Sequence, residues 1–130
     1  MNINKIKKEL NSGRTLQDLE LRVTYYARTA NSNINEQENY LKSIIDRTDK
    51  WTYVRGYADE NKSGLDISHR KGLLTMVEDL KNKNIDVVVI KDIARISRDK
   101  LQSVEHINKI IDNGVVVYSV AENINILDKM

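Results

Sequence analysis

The chain has 130 residues and no cysteine, and 21 basic against 19 acidic side chains leave a formal charge of only +2. With no cysteine a disulfide framework and a thiolate metal site are excluded, and with only His69 and His106 as imidazoles a histidine-based metal cage is not expected. No apolar run approaches the ~20 residues of a membrane span and no signal-peptide core opens the chain, so one globular cytoplasmic domain is expected.

Ile3, Ile6 and Leu10 share one face of a predicted helix over residues 2–11, with Lys5, Lys7, Lys8 and Glu9 around the rest. Asn11-Ser12-Gly13 stops it, and packing on the domain is expected of it rather than a basic arm on DNA. Thr15 to Asp18 has the form of a capping-box turn. Leu21 to Ala27, β-branched and aromatic, is predicted as the first strand and runs into Arg28. The polar loop from Thr29 to Asn35 has no glycine. That excludes a dinucleotide or P-loop cradle, in which the backbone itself must approach the phosphate. A helix follows from Asn35 to about Arg47, with Leu41, Ile44 and Ile45 on its apolar face and Gln37 near its start.

Trp51 to Ala58 is predicted as the second strand, followed by a polar turn from Asp59 to Gly64. Asp66 or Ser68 is expected to cap a helix through about Lys83, whose Leu73, Leu74, Val77 and Leu80 fall at helical spacing. The unbroken run Val87-Val88-Val89-Ile90 fits a strand buried on both faces in the middle of a parallel sheet. Its sequel changes character abruptly to Lys91, Asp92, Ala94, Arg95, Ser97 and Arg98. Lys100 to Asp112 is a further helix, ended by Asn113-Gly114, and Val115 to Val120 a fourth strand before the last segment, Asn123 to Met130. This alternation predicts a three-layer α/β domain, its mainly parallel sheet flanked by helices.

In such a sheet, ligands bind beyond the carboxyl ends of the strands. There the first and third strands carry Arg28, Arg95 and Arg98, and the loop after the second leads through Asp59 and Ser63 to Arg70. Arginine's planar fork suits phosphate, and such a set could orient a phosphodiester and stabilise charge developing in a displacement. The competing reading makes each arginine a solvated surface charge, and Asp59 with Glu60 an ordinary charged turn rather than a metal site. A receiver-like phosphoacceptor would use Asp92, but it needs an acidic group after the first strand, and Arg28-Thr29-Ala30 supplies none.

Taken in order, LRVTYYAR, Asn35-Glu36-Gln37, YADENKSG with Arg70, and VVVIKDIARISRD resemble the catalytic domain of the serine recombinases of the resolvase/invertase type. Within that family the likeness is closest to the larger recombinases of mobile elements, and the N-terminal helix, WTYVRGY and NGVVVYSVAENIN have counterparts there too. The resemblance implies a resolvase-like fold and DNA strand cleavage and rejoining. A serine hydroxyl attacks the phosphodiester, giving a 5′-phosphoserine link and a 3′-hydroxyl, with arginines neutralising the phosphate and no metal or cofactor. It assigns phosphate binding to Arg28, Arg70, Arg95 and Arg98, polar roles in the active site to Gln37 and Ser63, and the acidic role to Asp59.

Two positions depart from the pattern. The family sequence Tyr-Ala-Arg-Val-Ser places its nucleophile two residues after the arginine, and here that position is Ala30, which has no group to attack phosphorus. Ser32 could serve only if the loop differs in length. Ala94 stands where many members have Asp and mobile-element members often have Ser. The resemblance further divides the chain into a helix and turn over 1–20 and a catalytic domain over 21–130, with the family's long oligomerisation helix and DNA-binding module outside these residues. A domain unable to cleave is expected, with weak non-specific DNA binding, or else a regulatory module pairing with itself, a full-length recombinase or DNA; no membrane partner is implied.

Overall fold

The β-branched run at the middle of the chain forms the middle of the sheet. In the computed structural model, which describes residues 1–29, 33–60, 71–82, 84–93 and 100–130, Val87–Ile90 is strand β3 and all four residues are 0% exposed. Each side chain so buried contributes about 1.5–3 kcal/mol. Strand β1 (Leu21–Thr29) pairs with β3 on one side and with β2 (Trp51–Glu60) on the other, and β4 (Val116–Ser119) flanks β3, all in parallel. The order is β2-β1-β3-β4-β5, with the short β5 (Ile124–Ile126) antiparallel to β4.

Alternation along the strands divides the core into two layers. Leu21, Val23, Tyr25, Val87, Val89 and Val116 face helices α1 (Ile3–Asn11) and α2 (Ile34–Asp46), meeting Ile6, Leu41 and Ile45. Tyr26, Val88, Ile90 and Val117 face α3 (Lys71–Asn82) and α4 (Lys100–Asp112), meeting Leu73, Met76, Ile107 and Ile110. This is the three-layer, mainly parallel α/β fold expected. Residues 1–20 belong to the same core, since Ile6, Leu16 and Leu19 are buried against β1's layer. The turn over 15–18 is held by Asp18, whose carboxylate accepts from the Thr15 N–H at 2.8 Å and its hydroxyl at 3.1 Å. Gly13 and Gly114 take φ of +100° and +75°, as the helix stops before each require.

Two differences from the sequence reading have physical causes. Asp59 and Glu60 do not open a turn but end β2, because Arg28 and Thr29 pair with them in register and the ladder continues regardless of side-chain charge. β5 was not foreseen; three residues of mixed polarity carry too little pattern. Helix α3 starts at Lys71, and the expected caps Asp66 and Ser68 lie outside the described residues. Among the described residues no helix is long and apolar enough to cross a membrane.

Candidate functional site

The strand order fixes where a ligand crevice opens. From β1 the chain crosses through α2 to one flank of the sheet, and from β3 it crosses through α4 to the other. The carboxyl ends of β1 and β3 therefore flank the topological switch point, the place where open α/β sheets bind ligands. Their register, Tyr26 with Ile90, sends the segments after both strands out of the same edge.

Arg28 stands at that edge and is 6% exposed, so the reading as a solvated surface charge fails for it. It alternates with Tyr26 along β1 and pairs in register with Asp59 on β2, which places both on the α3/α4 face of the sheet. Its backbone is held by Gln37 of α2. The Arg28 N–H donates to Gln37 Oε1 at 2.9 Å, and Gln37 Nε2 donates to the Arg28 carbonyl at 3.2 Å. Because β3 ends level with Tyr26, this buried amide supplies the ladder bonds that a strand would otherwise make. A second tie docks the same helical turn, from the Tyr25 hydroxyl to Glu38 at 2.7 Å. Burial first, and then the Glu38 carboxylate, push the Tyr25 hydroxyl well above the ordinary phenol range. Gln37→Leu is expected to remove the side-chain acceptor of the buried Arg28 N–H and the amide donor to its carbonyl, and to destabilise the domain by about 2–4 kcal/mol in a urea titration. A loss under about 0.5 kcal/mol, the scale of a surface substitution, would show that the amide is dispensable.

Asp59 is 8% exposed and not a solvated turn charge. Its Oδ1 accepts from the Gly72 N–H at 2.7 Å, and its Oδ2 from the Leu73 N–H at 2.9 Å and the Tyr26 hydroxyl at 2.8 Å. A β-strand carboxylate thus caps α3 across space, satisfying two of the helix's free N–H groups at its positive end. Gly72 makes the approach possible. A Cβ there would collide with the Ala58 carbonyl oxygen and stand 2.8 Å from its carbon and 3.0 Å from Asp59 Oδ1. Sequence reasoning missed both Tyr26 and Gly72; an unexplained glycine one residue into a helix was the available signal.

Arg28, Gln37 and Asp59 are therefore brought together at one edge. The other candidates, Ala30, Ser32, Ser63, Arg70, Ala94, Arg95 and Arg98, lie outside the described residues. Chain continuity relates some of them to described neighbours, since Arg70 precedes the first residue of α3 and Arg95 follows Ile93 by two positions.

Comparison with known proteins bears on this arrangement. The family model described as Resolvase, N terminal domain, matches residues 22–130, whereas no curated protein sequence matches the chain. Among solved structures, the N-terminal catalytic domain of TP901-1 integrase superimposes with a TM-score of 0.70 at 24% identity, over 80% of each chain. A resolvase family site-specific recombinase from Streptococcus pneumoniae gives 0.68 at 24% identity, covering 81% of this chain and 75% of that one. The C-terminal catalytic domain of ISC1926 TnpA, an IS607-like serine recombinase, gives 0.64 at 28% identity, covering 77% and 70%. The match to the family model begins at the second residue of β1 and takes in the strand end where Arg28 is buried, so the chain belongs to the resolvase family of serine-recombinase catalytic domains.

Proposed function

We propose that this domain holds a DNA phosphodiester at the carboxyl edge of its sheet and does not cleave it. The observation that carries this reading is Arg28, buried at the switch point with its backbone fixed by Gln37, two residues before an alanine. In the family's reaction a serine oxygen attacks phosphorus while arginines neutralise the phosphate. Here Arg28, Arg70, Arg95 and Arg98 would take the phosphate oxygens, Gln37 and Ser63 would support them, and Asp59 would hold α3 in place beside Arg70. Ala30 offers a methyl group and no lone pair, so binding and orientation remain and the covalent step is lost.

With four candidate arginines and a net charge of +2, binding should be weak, non-specific and salt-sensitive. Two to four phosphate contacts predict a slope of roughly −2 to −4 in log K against log salt, so a fourfold rise in salt should weaken binding about 10- to 150-fold. A gel-shift titration on duplex DNA measures this directly. A tight, sequence-specific complex that survives high salt would overturn the proposal. Ala30 also favours a second reading, a non-enzymatic module that pairs with a full-length recombinase; mixing the chain with one and finding its strand exchange altered would favour that role.

A further inference from the structure

The turn after β4 is built around a carboxylate that the scheme above leaves without a role. A Glu122 oxygen, Oε1, accepts the backbone N–H of Ile93 at 3.1 Å and also the hydroxyl of Ser119, which is 0% exposed. Alongside, the Val120 N–H donates to the Ile90 carbonyl at 3.0 Å and the Ala121 N–H to the Lys91 carbonyl at 2.8 Å. The chain leaving β3 thus stays fastened to the chain leaving β4 beyond the last ladder pair, Ile90 with Ser119. The turn is itself fixed in shape. Asn123 takes a φ of 51°, in the left-handed region that asparagine tolerates, while its N–H donates to the Val120 carbonyl and its Oδ1 accepts the Tyr118 hydroxyl at 3.0 Å.

Glu122 follows the end of β4, at the edge from which Arg28 also departs. An anion there opposes a phosphodiester, so electrostatics alone argue against a carboxylate at this place. What a carboxylate supplies is a strong acceptor for a backbone N–H. Ile93, whose amide it holds, precedes Arg95 by two residues and Arg98 by five. We infer that Glu122 is a positioning residue: through the Ile93 amide it holds the chain as it leaves β3, two residues before Arg95 and five before Arg98, and so supports phosphate binding by those arginines. This rests on the phosphate-binding reading of those arginines given above.

The test uses the 130-residue chain with a random-sequence duplex and three variants. Glu122→Ala should speed hydrogen exchange at the Ile93 amide and lower duplex affinity about 10-fold, the lower end for a hydrogen bond to a charged group. In an Arg95→Ala/Arg98→Ala background the same substitution should cost nothing further, because it acts through those side chains. Glu122→Gln keeps an oxygen acceptor and should restore most of the affinity. If Glu122→Ala and Glu122→Gln both raise affinity, the carboxylate merely repels DNA and the inference falls. If Glu122→Ala lowers thermal stability alone, with affinity unchanged, the role is structural and the inference again falls. If Arg95→Ala/Arg98→Ala leaves affinity unchanged, the reading of the arginines fails and takes this inference with it; if that variant weakens binding and Glu122→Ala does not, the inference fails alone.

Discussion

Incubated with supercoiled DNA under conditions that trap recombinase intermediates, the chain is expected to yield no covalent protein–DNA adduct on a denaturing gel. Removing a nucleophile that works as a unit with its neighbours typically lowers the rate on the order of 10⁶-fold, leaving what positioning and charge stabilisation supply. The arginines can neutralise a phosphate but bring no attacking oxygen. Water would need a base, and the carboxylate beside Arg28 in the register, Asp59, is committed to the Gly72 and Leu73 amides and the Tyr26 hydroxyl. Ala30→Ser adds one hydroxyl to a polar loop and should leave stability unchanged. The opposite result is equally specific: an adduct formed by the unaltered chain and abolished by Ser32→Ala would make Ser32 the nucleophile and refute the assignment of Ala30.

The second large effect is on stability. Asp59→Ala is expected to cost about 3–5 kcal/mol in urea denaturation, since it removes the charged acceptor of two helix N–H groups and of a buried tyrosine hydroxyl. Against the 5–15 kcal/mol typical of whole domains, this approaches unfolding. Asp59→Asn retains an acceptor but not the charge at the positive end of α3, and should cost about half as much. Gly72→Ala reaches the same contact from the other side by driving a methyl group into the Ala58 carbonyl, at about 1–3 kcal/mol or more. If Asp59→Ala costs less than about 1 kcal/mol, α3 is held by its Leu73, Met76 and Leu80 packing alone. The carboxylate would then be free for a chemical role at the phosphate.

Much of this molecule is legible without coordinates. The run Val87–Ile90 fits a strand covered on both faces, its β-branched residues and short length favouring a strand, and the helical spacing over 100–112 matches α4. Arg28 could be marked as a cation at a strand end, and the resemblance carried by the strand-end residues led to the family. Tertiary structure decided what those residues touch. The order β2-β1-β3-β4-β5 places the switch point between β1 and β3. Asp59, which reads as a turn residue, becomes the cap of a helix that starts twelve positions later, Lys71. Gln37 becomes a stand-in for a missing strand, and Glu122 a tie to a loop 29 residues earlier in the chain. Each of these is a polar contact between segments distant in sequence. Hydrophobic period constrains which face of an element is buried, but it says nothing about which buried donor meets which acceptor; that pairing exists only once the strands are in register.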